Sequence, residues 1–137
     1  MKKLWLPLTM IVVLAAIAFA GYWAKRPAEA ESIACSDPLA GCDFRHRGTP
    51  ARVHFSELPV PLEPFTLSVT APGSVRVSVE FQMVGMDMGF NRYDLRLQAE
   101  GVFSSRITLP ICVSGRRDWL LYLQIDGKNY VLPFSSR

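Results

Sequence analysis

The chain has 137 residues, 50% of them hydrophobic and 20% charged, with a formal net charge of +3. That length holds one domain and little more, which excludes a two-domain enzyme and a multi-span transporter; the hydrophobic content argues against low-complexity disorder. The positive charge is local: Lys2, Lys3, Lys25 and Arg26 flank one apolar stretch, whereas from residue 27 onward 11 basic residues face 12 acidic ones. A near-neutral body lacks the footprint for phosphate backbones, so nucleic acid is not an expected partner.

The apolar stretch comes first in chain order. Residues 4–24, LWLPLTMIVVLAAIAFAGYWA, carry no charge over 21 positions, about the number needed to cross a bilayer core. Pro7 is early enough to be tolerated near the first turn. Tyr22 and Trp23 fall where an aromatic belt meets the interface, followed at once by Lys25 and Arg26. A cleaved signal peptide is the rival reading, with Lys2-Lys3 as its basic region and Ala18-Phe19-Ala20 as a small-x-small cleavage pattern. The length of the run and its aromatic, basic far end favour an uncleaved anchor. Lys2, Lys3 and the amino terminus slightly outweigh Lys25 and Arg26, which keeps the N-terminus inside and puts residues 27–137 outside the cytoplasm. Acylation at Cys35 is rejected, because charged residues separate it from the apolar run and Ser32 stands where an aliphatic residue belongs.

The expected plan is a membrane anchor over 1–26, a tether with a cysteine-containing loop over 27–49, and a β-domain over 50–137. Residues 35–49, with Cys35, Pro38, Gly41, Cys42 and Gly48, read as irregular. Period-2 alternation then predicts short half-buried strands. Val53 and Phe55 share one face, as do Phe65, Leu67 and Val69, and the longest such run is Val75, Val77, Val79, Phe81 and Met83. Tyr93, Leu95, Leu97 and Ala99 follow, then Ile107, Leu109 and Ile111, then Trp119, Leu121, Leu123 and Ile125, and finally Tyr130, Leu132 and Phe134. Turn signals separate the runs, Asp126-Gly127 being a good hairpin turn. About seven such strands predict an all-β, immunoglobulin-like antiparallel sandwich behind one N-terminal transmembrane helix.

Little in the sequence suggests catalysis. The only histidines, His46 and His54, sit in no recognisable catalytic motif, and there is neither a nucleotide-binding glycine loop nor a nucleophile elbow. The chain is not expected to be an enzyme. The unusual segment is Gln82-Met83-Val84-Gly85-Met86-Asp87-Met88-Gly89-Phe90, which holds three of the five methionines. Thioether sulfur is soft and neutral, and suits Cu(I) without the proton competition a thiolate suffers. In extended geometry Met86 and Met88 would point the same way, bracketed by Gly85 and Gly89. Met83 continues the inward phase of its strand and is assigned first to packing. Two thioethers are too few for tight binding, so a third donor is required. Cys112 is the first candidate, being out of phase with Ile107, Leu109 and Ile111; His46 and His54 are weaker ones. The alternative for these side chains is plain packing.

Cys35 and Cys42 enclose six residues, and in an oxidising compartment a local disulfide is the first expectation. A metal hairpin with His46 is the alternative, though the spacing is not a standard zinc pattern. Trp119 reads as a core aromatic beside a solvated Arg116-Arg117 turn.

Phe65–Val69, the Met83–Gly89 loop, the Tyr93–Leu97 strand, Leu109-Pro110 and Trp119 together resemble the small FixH-like and YtkA-like domains, over roughly residues 63–135. The resemblance implies a bacterial exported or membrane-anchored β-sandwich linked to cytochrome oxidase assembly and copper supply. On that basis the expected function is a single-pass inner-membrane accessory protein with its C-terminal domain in the periplasm. It would bind or relay Cu(I), or dock a copper-loaded partner, and its partners would be a respiratory oxidase or its copper chaperones. The alternative expectation is a metal-free protein–protein interaction module of the cell envelope.

Overall fold

A computed structural model describes every residue except Met1, 25–28, Asp87, Phe90 and Cys112, with side chains from Pro7 onward. Helix α1 (Lys2–Ala24) contains an 18-residue window, Pro7–Ala24, of mean hydropathy 1.9 with none of it buried. It is long and apolar enough to cross a membrane or to act as a signal sequence.

Ten strands follow: β1 (Glu31–Ser32), β2 (Cys42–His46), β3 (Thr49–Phe55), β4 (Pro64–Thr70), β5 (Val77–Met83), β6 (Arg92–Asp94), β7 (Arg96–Ala99), β8 (Val102–Thr108), β9 (Asp118–Ile125) and β10 (Lys128–Ser135). They form two five-stranded sheets, β1-β10-β9-β5-β6 and β2-β3-β4-β8-β7. All pairings are antiparallel except β1 with β10. The alternation read from sequence is why they stack: β9 buries Trp119, Leu121, Leu123 and Ile125, β5 buries Val77, Val79, Phe81 and Met83, and β4 answers with Phe65, Leu67 and Val69. Phe55, Phe65, Phe81 and Phe134 interlock between the sheets, with centroids 5.2–6.2 Å apart and several edge-to-face.

The structure departs from the sequence expectation at several places. The stretch expected to be irregular, 35–49, supplies β2, which pairs with β3 through the Arg47-Gly48 turn, and the tether before it supplies β1. The run from Tyr93 to Ala99 is two strands, not one: the chain leaves the first sheet after Asp94, buries Leu95, and joins the second sheet at Arg96. That crossing, with a register irregularity between Leu97 and Ala99, turns Leu97 out to solvent. Val75 does not extend β5, because the Asp126 carboxylate accepts hydrogen bonds from the amides of Val75 and Arg76 and holds them in a turn. Strand β8 stops at Thr108, two residues before Pro110, which has no N–H to continue a ladder, so Ile111 lies exposed.

The Asp126-Gly127 hairpin turn forms as expected, with both residues at positive φ (47° and 84°). Cys35 and Cys42 are disulfide-bonded, Cα atoms 5.2 Å apart. The bridge ties the segment after β1 to β2, across the same edge where Ile33 enters the core.

Phe81 is fully buried in the centre of the aromatic interlock. Phe81→Ala is expected to cost about 3–5 kcal/mol through the cavity left behind, whereas the exposed Leu97→Ser should change stability by less than about 0.5 kcal/mol. Urea unfolding of the full chain in detergent, followed by the fluorescence of buried Trp119 after Trp5→Phe and Trp23→Phe, measures both.

Candidate functional site

The strand pairings sort the connections into two ends. The turns at 47–48, 71–76, 100–101 and 126–127 share one end, as Ala71 donates to the Gly101 carbonyl (2.7 Å) and Asp126 to the Arg76 carbonyl (3.0 Å). The connections 56–63, 84–91 and 109–117 share the other. There Leu62 donates to the Leu109 carbonyl (3.0 Å), Val84 to Asp118 (3.4 Å), and the Arg137 amide to Pro59 (2.9 Å). From Val77 to Met83 strand β5 spans about 20 Å, so the two ends are that far apart or more.

The methionine segment belongs to the second end. It does not continue extended: the Met86 amide donates to the Met83 carbonyl (3.2 Å) and Gly85 has φ 74°, which makes residues 83–86 a tight turn. The three thioethers therefore differ. Met83 is 2% exposed, opposite Trp119 in the ladder, and its sulfur belongs to the core. Met86 is 39% exposed where the turn closes. Met88 is half-buried, lying against the edge of the core. Position 112 falls outside the described residues, but the 109–117 connection that carries it leaves from this same end.

The histidines do not join the methionines. His54 points outward from β3, on the outer face of the second sheet. His46 is at the first end, 5% exposed, with Nδ1 and the Tyr130 hydroxyl sharing a 2.8 Å hydrogen bond. Its Nε2 is buried without a partner among the described residues. His46 is separated from Met86 by the length of the sandwich, and His54, although nearer that end, faces away on the outer side of the second sheet while Met86 follows β5 of the first. Among the described residues no three His, Cys, Asp or Glu side chains converge. A Cu(I) site built on described side chains would thus have two thioethers of unequal exposure, short of the three donors it needs.

Sequence reasoning missed the other exposed apolar residues at this end. Leu62, Val84, Ile111 and Val113 are all exposed on the three connections of this end, and Val113 is 99% exposed. Ile111 was masked by its phase with Ile107 and Leu109; loop apolar residues such as Leu62 and Val113 carry no periodic signal. Arg116 pairs with Asp118 beside them (Nε to Oδ1 2.9 Å), which holds the Asp118 carboxyl below its ordinary range. The outer face of the first sheet is concave but self-satisfied. Arg92 donates to Ser78 Oγ (2.8 Å) and Gln124 Oε1 (2.9 Å), and Gln124 to Asn129 Oδ1 (3.0 Å).

No family model, curated protein or solved structure matches the chain.

Burial, then the nearby Arg47 cation, lowers the His46 pKa against an opposing pull from Asp126, so the folded protein holds this ring neutral. The unfolded chain takes up a proton there as pH drops through the ordinary imidazole range near 6.5, and the folded chain does so only at lower pH. Stability is therefore expected to be full above that range and to fall as pH drops through it toward the lower folded value. Urea midpoints between pH 8 and 5 should show this decline, and His46→Phe should flatten it; an unchanged slope would remove His46 as its source.

Proposed function

We propose that the chain is a single-span accessory protein of the bacterial inner membrane whose periplasmic, immunoglobulin-like sandwich engages a partner protein through its far loop rim. The observation that carries this reading is the gathering of Leu62, Val84, Met86, Ile111 and Val113, all exposed, on three connections at one end. Exposed apolar residues gathered at one end of a domain suit an interaction site, and an exposed methionine adapts its shape to a partner. The immunoglobulin-like assignment draws support from strand order. With β3, β4, β8 and β7 as A, B, E and D, and β5, β9 and β10 as C, F and G, the sheets run ABED and GFC. Strands β1 and β2 extend one edge of each sheet, and β6 the other edge of the first. The periplasmic placement is supported by the Cys35–Cys42 bridge, which suits an oxidising compartment. An anchor with Lys25 and Arg26 at its far end fits the apolar helix.

A second reading rests on the placement of Met86 and Met88 at the same end as the connection carrying Cys112. Cu(I) held or relayed there, or a copper-loaded partner docked there, during cytochrome oxidase assembly is the role the FixH-like and YtkA-like resemblance implies. Soft sulfur donors on an exposed rim would pass a monovalent ion without proton competition.

Two measurements separate these readings. A photo-crosslinking residue at Val113 is expected to give a discrete adduct in cell membranes, and one at Leu97, away from the rim, none; adducts from both or from neither position would sink the docking assignment. Anaerobic Cu(I) titration of the full chain in detergent, against a competing chelator, is expected to find nothing tighter than about micromolar, two thioethers being too few. Stoichiometric, tight Cu(I) lost in Met86→Leu/Met88→Leu with the fold intact would replace the metal-free reading with the copper one.

A further inference from the structure

We infer that the outer face of the first sheet is a sugar-binding trench that takes an N-acetylated hexosamine chain. The trench lies on the flank of the sandwich, apart from the methionine rim, so it adds to the proposed docking role. The exported reading of the domain supplies only the source of the ligand, the amino-sugar glycan of a bacterial envelope. The floor follows from register. Val77, Val79, Phe81, Leu121 and Leu123 are buried, which leaves Ser78, Glu80, Gln82, Tyr122 and Gln124 on the outer face of β5 and β9. The ladders align them in rows across the sheet. Asn129, Gln124, Ser78 and Asp94 form one row, and Val131, Tyr122, Glu80 and Arg92 the next. Ser78 is the smallest side chain in these rows, and it lines a hollow of about 220 Å³. Ala30, just before β1, lines one side of the hollow and Arg92 on β6 the other. From β10 to β6 is three strand spacings, about 14 Å.

The chemistry of this surface selects the ligand. Arg92 reaches across β5 to Ser78 and Gln124, and Gln124 bonds on to Asn129, so the centre of the floor is fixed before a ligand arrives. Around that centre is a mixture of donors and acceptors. The Asn129 amide nitrogen and the Tyr122 hydroxyl can donate. Gln82 Oε1 and the second Glu80 oxygen can accept, since Gln82 Nε2 donates to Glu80 Oε1. None of these four groups bonds within the protein among the described residues. A sugar hydroxyl both donates and accepts, and an acetamido group offers one N–H and one carbonyl, so both suit such a mixture. Half-buried Tyr122 brings an apolar ring beside a polar hydroxyl, the same combination that a pyranose presents. Charge disfavours other small ligands. Glu80 and Asp94 on the face, and Glu29 before its wall, repel phosphate and carboxylate, while the Arg92 guanidinium over the floor repels amines. Glu31 and Lys128 at the β1 edge neutralise each other (2.8 Å). An extended peptide finds no strand edge here, because β5 and β9 are paired on both sides along these rows.

The test titrates chitotetraose, the linear tetramer of N-acetylglucosamine, into the isotope-labelled full chain in phosphatidylcholine nanodiscs, which carry no sugar, and reads amide chemical shifts. Saturable shifts are expected at Ser78, Glu80 and Tyr122 and at the side-chain amides of Gln124 and Asn129, with Met86 and Val113 unmoved. Cellotetraose, the glucose counterpart without acetamido groups, should bind about tenfold more weakly through loss of the amide's hydrogen bonds. Asn129→Ala is expected to weaken chitotetraose by about fivefold, with unchanged core signals reporting its fold. The sugar comparison alters no residue, so it reports even if that variant folds poorly. No saturable shift at millimolar tetramer, equal binding of cellotetraose, or shifts confined to the methionine rim would overturn the trench. A stronger response of the same residues to inorganic phosphate or to tetra-alanine would do so too. Each of these results leaves docking at Val113 intact, and loss of the Val113 adduct leaves the trench intact.

Discussion

The structure depends on aromatic side chains meeting between two sheets. Phe55 and Phe65 come from the second sheet, Phe81 and Phe134 from the first, and each ring touches at least one ring across the interface. Tilted and edge-to-face rings fix orientation as well as burying area, so the sheets cannot slide without breaking several contacts at once. Trp119, sealed in the same half of the core, donates from Nε1 to Ser136 Oγ (3.3 Å) and so secures the C-terminal end of β10. The far rim is built directly on this layer. Phe55, Phe134 and Trp119 lie within a residue or two of its connections or of the C-terminal residues bonded to them. A rigid floor lets exposed loops hold a definite shape, which any recognition surface requires.

The other half of the core is held by a different device. Tyr130 packs against Phe44 (4.9 Å between centroids) and shares its hydroxyl hydrogen bond with buried His46. Both Phe44 and His46 belong to β2, the strand that the Cys35–Cys42 bridge fastens to the incoming chain. A parallel strand of two residues would be marginal alone. Here it is reinforced by Ile33 in the core, by the Glu31–Lys128 pair and by the bridge. Beyond its reach, Pro133 interrupts the donor pattern of β10, and a proline there also discourages edge-to-edge pairing with another chain. The N-terminal segment is thus part of the sandwich's edge protection as well as its tether.

How much of this could be read from residues alone follows from what periodicity encodes. Val77, Val79, Phe81 and Met83, or Trp119 through Ile125, alternate because they are straight strands with one face inside, and such runs were legible. Alternation says nothing about a strand that changes sheets, so Leu97 looked inward-facing although the crossing at Leu95 turns it out. It also says nothing about where pairing stops, so Val75 and Ile111 looked like core residues although hydrogen bonding to Asp126 and the arrival of Pro110 end the ladders short of them. The two-residue β1 and the cysteine-bounded β2 lack an apolar pattern long enough to register. At the candidate site, composition found the methionines, but their shared face assumed an extended chain that Gly85 breaks. The exposed apolar residues that share an end with Met86 sit on three separate connections, brought to that end only once the strands pair.

The two ends differ in what they expose and in what holds them. The methionine end exposes Leu62, Val84, Met86, Ile111 and Val113 on three connections. The opposite end is tied together through Asp126, whose carboxylate accepts from the Val75 and Arg76 amides and whose carbonyl accepts from Arg47. Arg47 also joins that end to the core, since its cation helps keep the ring of His46 neutral, so the turn that closes the β9–β10 hairpin and the buried ring on β2 are held by one side chain.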